Sequence, residues 1–344
     1  MSGKYRFSFG PWNIHEGGDP FGPTVRNSIE FGKKLKMYKK LGFDGVQFHD
    51  DDAVPDMDNL SFVEIAKRAK EVRSMLEGEG LSAEFIAPRL WENEQTIDGA
   101  YTSNDPAARQ YAKDRSRRTI DIANALDTKL VVLWLAREGT YIREAKDSRL
   151  AVERIVEAIN DMLAYNAEIE IAIEPKPNEP MDQAYIPTTG HAIAVSYLTS
   201  DPDRVGVNIE SAHAILAGLD PSDEMGFALA YDKLFTVHLN DQNGLKFDED
   251  KSFGSVDLRR AFNQVHILDQ YDYGNSGEFV GLDVKAMRTQ KPDVATKHLS
   301  NSREIFLALV KLVQKLDKIK VEKLIAERDY EELDLLIMNH LMGI

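Results

Sequence analysis

Strand-like apolar runs alternate with amphipathic helical stretches along this chain, and several of the runs carry no polar face at all. LVVLW (130–134) and IEIAI (169–173) are continuously apolar or β-branched apart from one glutamate, as strands covered on both sides by helices should be. Similar runs lie near Tyr5–Phe9, Gly45–Phe48, Ala83–Ala87, Val205–Asn208, Leu234–Val237 and Glu278–Leu282. Helical periodicity marks Ile29–Leu41, Phe62–Glu79, Ala107–Leu126, Leu150–Tyr165 and His191–Thr199 between them. Eight such units in series predict an α/β fold, a (β/α)8 TIM barrel, although a doubly wound sheet uses the same local units. The barrel is expected over residues 1–300. Residues 301–344 are expected to form a C-terminal helical extension, from the helix Asn301–Lys318 and the apolar pattern EELDLLIMNHLMGI, packed on the barrel or on a neighbouring subunit.

At 344 residues with 43% hydrophobic content the chain can bury a large core. It has no apolar run near the ~20 residues of a membrane span, and MSGKYRFSFG lacks the features of a signal peptide. With no cysteine there is neither a disulfide framework nor thiolate chemistry, so a cytoplasmic location is expected. A formal net charge of −15 argues against nucleic acid as partner, because phosphate binding depends on clustered Lys and Arg.

In a barrel of this kind the loops after the strands form the active face, so the residues just past each apolar run matter most. Glu174 and Glu210 each end a strand-like run, with His213 three residues after Glu210. Either glutamate alone is as readily a salt-bridged barrel carboxylate as a metal ligand. Taken with His213 and the Asp248/Asp250 pair, they point to divalent metal, since oxygen ligands with one or two imidazoles suit Mg²⁺, Mn²⁺ or Co²⁺. Asp283 in GLDVK and His238 in LFTVHLND end two further runs.

The run FHDDD reads most simply as an acidic loop with a helix N-cap. A sharper reading pairs Asp52 with His49, the carboxylate orienting the imidazole as a proton shuttle. Lys176, between Pro175 and Pro177, sits in a stiff segment suited to contacting a substrate oxygen. Trp91 and Trp134 are either core or the apolar walls of a sugar-sized cavity.

Together these segments resemble the xylose isomerase family of metal-dependent aldose–ketose isomerases. The likeness runs from FSFGPW and GGDPFG through GVQFHDDDAVP, TSNDPAARQYA, REG, IEPKPNEP, PTTGHA, GVNIESAHAILAGL and LNDQNGLKFDEDKSFGSVDLRRAF to MNHLMG. It implies a barrel holding two divalent ions, with Glu174, Glu210 and Asp283 on one and Glu210, His213, Asp248 and Asp250 on the other. His49 with Asp52 would open the sugar ring, and Lys176 would contact the carbonyl oxygen. Trp12, Trp91 and Trp134 would line the sugar site, and Phe21 would reach into a neighbour's pocket in a homodimer or homotetramer. Hydrogen would cross between C1 and C2 as a hydride.

Three departures stand out. His238 replaces an aspartate ligand, and Leu135 and Ala136 replace a glycine pair beside Trp134. The C-terminal part is shorter than is usual for the family. With His238 neutral, five carboxylates facing two dications and Lys176 sum formally to zero, and imidazole favours transition metals over Mg²⁺. The alternatives are an isomerase or epimerase of another sugar or polyol, and a metal-containing sugar-binding barrel without turnover. A metal-dependent nuclease would need a basic groove, which the charge denies.

Overall fold

A computed structural model describes residues 4–344. Eight parallel strands close into a barrel: β1 Arg6–Phe9, β2 Gly45–His49, β3 Ser82–Ala87, β4 Leu130–Trp134, β5 Glu170–Glu174, β6 Val205–Glu210, β7 Leu234–Leu239 and β8 Phe279–Leu282. Each pairs with its sequence neighbours, and β1 closes the ring on β8 from Arg6↔Phe279 to Phe9↔Leu282. The fold is therefore the (β/α)8 barrel, not the doubly wound sheet.

Between the strands run α1 Phe31–Lys40, α2 Phe62–Gly78, α3 Pro106–Leu126, α4 Ser148–Tyr165, α5 Thr189–Ser196, α6 Pro221–Ala230 and α7 Leu258–Gln270, with α8 Lys297–Lys315 after β8. Local chemistry starts them. Ser61 and Glu64 form a capping box before α2, and Asp105 and Asp220 cap α3 and α6 with proline as the first helical residue. The main core lies between barrel and helices, with Phe9, Phe43, Phe48, Val207 and Phe306 fully or nearly fully buried.

The barrel has two register shifts, one in β7 opposite Val207 and Asn208 and one in β3. Val46 pairs with Ala83 and Phe48 with Ile86, so Glu84 and Phe85 together face the single residue Gln47. Such a bulge sends both side chains inward. Glu84 receives hydrogen bonds from Ser8, Gln47 and Thr236 across the barrel floor. Phe85 packs against the ring of His238, with centroids 5.4 Å apart. Burial drives the Glu84 carboxyl upward.

Beyond α8 the chain continues as α9 Lys318–Glu327 and α10 Tyr330–Met342, with Leu324 buried and no residue of α10 fully buried. His340 bonds to the Leu312 carbonyl at 2.8 Å, and Arg259 of α7 reaches Asp334. No helix among the described residues is long and apolar enough to cross a membrane.

Candidate metal and sugar site

The strand ends of β5 to β8 bring seven side chains from distant sequence into one buried cluster. Glu174 and Glu210 are the last residues of β5 and β6. Glu210 also precedes the short helix Ser211–Leu216, which puts His213 on the same face one turn on. Asp248 and Asp250 come from the loop after β7. Paired backbone hydrogen bonds between Asp241 and Lys251 pin that loop, and the Asp241 carboxylate accepts from the backbone N–H groups of Val256 and Asp257. Asp250 itself has a φ of 46°, the left-handed region that aspartate tolerates better than most residues.

Three sets of ligand atoms result, each within 4.8 Å: Glu174, Glu210 and His213; Glu210, His238 and Asp283; Glu210, Asp248 and Asp250. Glu210 belongs to all three. His238 Nδ1 lies 3.3 Å from Glu174 and 4.0 Å from Asp283, as its place at the end of β7 requires. Asn208 donates to Glu174 at 2.6 Å, and Asn240 donates to both Glu210 at 2.8 Å and Asp250 at 3.0 Å.

These residues fit a divalent cation. Asp248 Oδ1, His213 Nδ1 and both ring nitrogens of His238 are buried without a hydrogen-bond partner. Buried polar atoms are normally satisfied, so Asp248 Oδ1 together with His213 Nδ1 and His238 Nδ1, which lie 3.7 Å and 3.3 Å from Glu174, marks a place for an ion. The charge balance agrees. Burial, then Asp248, pushes Asp250 up to about 8 and holds Glu210 well above its ordinary range. Burial also acts upward on Glu174, but His238 and His213 more than offset it and bring that carboxyl to about 2. Asp248 is likewise held low, chiefly by Lys176 against its burial.

Lys176 donates to Asp248 at 2.9 Å, lies 3.4 Å from Glu179 and sits 5.3 Å over the Trp134 ring. It lines a narrow cleft with Trp134, Leu135, Glu174, Met181 and Ile186. Leu135 and Ala136 thus border the same cleft. Trp91 and Trp134 meet edge to face at 4.5 Å, and the His49 ring lies between Trp12 at 4.3 Å and Trp91 at 5.1 Å. Trp12 also donates to Asp283 at 2.9 Å, tying the aromatic wall to the cluster. His49 Nδ1 is 2.9 Å from Asp52. Phe21 stands apart at 82% exposure, its ring 5.6 Å from Phe247.

Other strand-end groups have structural duties. Asp50 is fully buried under a two-pronged ion pair with Arg115 at 2.8 Å. Glu138 accepts the backbone N–H groups of Ala100, Tyr101 and Thr102. Two basic residues join the site without a role in the sequence reading. Lys285 pairs with Asp250, and Arg89 reaches His49. GLDVK places Lys285 two residues beyond Asp283, a usable signal; nothing around Arg89 marks it.

The family description "Xylose isomerase-like TIM barrel" matches residues 35–282, and the chain belongs to that family. Solved structures share the fold at low identity. A D-tagatose 3-epimerase-like protein is 14% identical with a TM-score of 0.64, covering 90% of this chain and 98% of its own. A 3-keto-D-glucoside 4-epimerase from E. coli gives 14%, 0.62, 87% and 99%. D-psicose 3-epimerase from Clostridium cellulolyticum, solved with D-tagatose, gives 15%, 0.61, 90% and 99%.

Proposed function

We propose that this chain is a metal-dependent sugar isomerase that moves hydrogen between adjacent carbons of a small carbohydrate, with an aldose and its ketose as the leading pair. The observation that carries the reading is one buried carboxylate, Glu210, common to three ligand sets beside an aromatic cleft that holds Lys176. Glu174, Glu210, His238 and Asp283 would hold one divalent ion, and Glu210, His213, Asp248 and Asp250 a second, of Mn²⁺, Co²⁺ or Mg²⁺. Such ions, when bound, stabilise the negative charge that develops on sugar oxygens.

The protein's own groups do the rest. Lys176 offers N–H donors to a carbonyl oxygen in the cleft, where low dielectric strengthens the contact. His49 and Asp52 act on the ring form of the sugar, and Trp12, Trp91 and Trp134 exclude water. Abstraction of a carbon-bound proton needs a base free of other duties. Here the clustered carboxylates are engaged by histidine, asparagine or lysine, which favours direct hydride passage between carbons.

Epimerisation of a ketose is the second reading, favoured by the epimerases that share the fold. We further propose a cytoplasmic homodimer or homotetramer in which Phe21 enters a second copy's cleft. An aldose deuterated at C2, tested within a sugar panel under Mn²⁺, Co²⁺ and Mg²⁺, separates the readings. Label delivered intact to C1 supports the hydride shift. A C3 epimer formed from a ketose of the panel favours the second reading, label lost to water replaces the hydride shift with an enediol route for the same isomerisation, and no turnover on any sugar leaves a binding barrel.

A further inference from the structure

His49 Nδ1 is claimed by two residues at once. Asp52 Oδ2 lies 2.9 Å from it and Arg89 Nη2 lies 2.8 Å from it. Asp52 can bond there only if the nitrogen carries a proton. Arg89, which has no acceptor, can bond there only if the nitrogen presents its lone pair. One nitrogen cannot do both.

The surroundings decide between them. The Asp52 carboxylate has donors elsewhere: the backbone N–H of His49 at 3.2 Å on Oδ2 and the same Arg89 Nη2 at 3.1 Å on Oδ1. Arg89 is itself fixed, with Nε on Asp51 at 2.8 Å, Nη1 near Glu92 at 3.3 Å and its guanidinium 5.7 Å from the Trp91 ring centroid. Its charge is matched by these carboxylates, so it is not a free receptor for an anionic substrate. A proton on Nδ1 would set two N–H donors head to head at 2.8 Å.

We infer that Arg89 is a positioning residue that fixes the tautomer of His49, accepting at Nδ1 and carrying its proton on Nε2. This rests on the proposed function only for its consequence: His49 then meets a sugar oxygen as a hydrogen-bond donor, not as a base. Asp52 serves chiefly to hold Arg89 against the ring. That differs from the proton shuttle which the Asp52–His49 spacing suggested.

The test reads the ring nitrogens directly, with neither sugar nor metal present. The full chain labelled with ¹⁵N-histidine is examined by long-range ¹H–¹⁵N correlation in mildly alkaline buffer, with His49→Gln identifying the His49 signals. The wild type is expected to show the Nε2–H pattern, and Asp52→Asn to keep it. Arg89→Met is expected to switch His49 to the Nδ1–H pattern, because Nδ1–H can then donate to Asp52 Oδ2. A wild-type ring with its proton on Nδ1, or with both nitrogens protonated, overturns the inference even if the variants fail to fold. An Arg89→Met spectrum identical to wild type also overturns it. An Nε2–H ring in a chain that turns over no sugar would remove the proposed function and leave this assignment standing.

Discussion

Lys285 Nζ rests on the carboxylate of Asp250, and the Lys285 backbone N–H donates to the Asp250 carbonyl at 2.8 Å. The same carboxylate belongs to a ligand set with Glu210 and Asp248. An ammonium therefore already neutralises part of the charge a second ion would meet. With Lys285 counted beside Lys176, the five carboxylates and two ions no longer sum to zero but to +1, and a single ion leaves −1.

From this follows an asymmetry in ion affinity. Removing the competing ammonium in Lys285→Met should tighten the weaker of two Mn²⁺ sites by about tenfold, roughly 1.4 kcal/mol. Isothermal titration of the metal-free protein measures it. Equal binding in the variant would show that Lys285 does not compete with the ion, and weaker binding that it supports it.

Glu210→Gln should remove most of the thermal stabilisation that Mn²⁺ gives, because every ligand set uses Glu210. A ligand at about a hundred times its Kd stabilises the folded chain by ~2.7 kcal/mol, so the wild-type shift is readily seen. An unchanged shift in the variant would place the ion elsewhere.

His238→Asp should move ion preference toward Mg²⁺, since it exchanges an imidazole for an oxygen ligand. Competition between Mn²⁺ and Mg²⁺, followed by Mn²⁺ electron paramagnetic resonance, reads the ratio directly. If the ratio does not move, His238 is a packing residue against Phe85.

Metal-free stability should fall as pH rises from about 4 to about 8. Asp250 is raised to about 8 and Glu210 is raised as well, both first by burial and then by Asp248. Their unfolded values are near ~3.9 and ~4.3. In that window these two carboxyls hold more protons folded than unfolded, so each step up in pH favours unfolding through them, while His298, lowered by burial to about 4, opposes them only below about 6.5. His238, raised by Glu174 against its burial, acts in the same direction as the two carboxyls above about 6.5, its ordinary value. Glu174 and Asp248 are lowered, and their contribution is lost only on acidification below about 4. Denaturation midpoints in chelator at successive pH values test this, and a flat or rising profile would contradict it.

Asp50→Ala should destabilise the fold by about 2–3 kcal/mol, because it removes the fully buried partner of the Arg115 guanidinium and leaves only Asp51 at 3.3 Å and Asp58 at 3.2 Å to match its charge. Asp52→Asn, two residues on and only partly buried, should leave the unfolding free energy within about 1 kcal/mol of the wild type. Urea denaturation of the two variants separates the structural aspartate from the one beside His49.

Strands, helices and the carboxylate-tipped strand ends were legible in the sequence because each depends on neighbours a few residues away. Apolar runs make buried strands, caps start helices, and Glu210 with His213 share a face by helical spacing alone. His49 with Asp52 was legible for the same reason. Barrel closure decided the rest. Glu84 finds Thr236 across the barrel 152 positions away, aided by a one-residue bulge that no local pattern announces. Arg89 meets His49 from 40 positions away and so contests a proton that spacing alone had given to Asp52. Lys285 arrives beside Asp250 from the next strand's end and changes the charge balance of the carboxylate cluster. Spacing along the chain determines which groups stand at a strand's end. Only the closed ring determines which of them touch, because their hydrogen bonds and Coulomb terms act across angstroms of space.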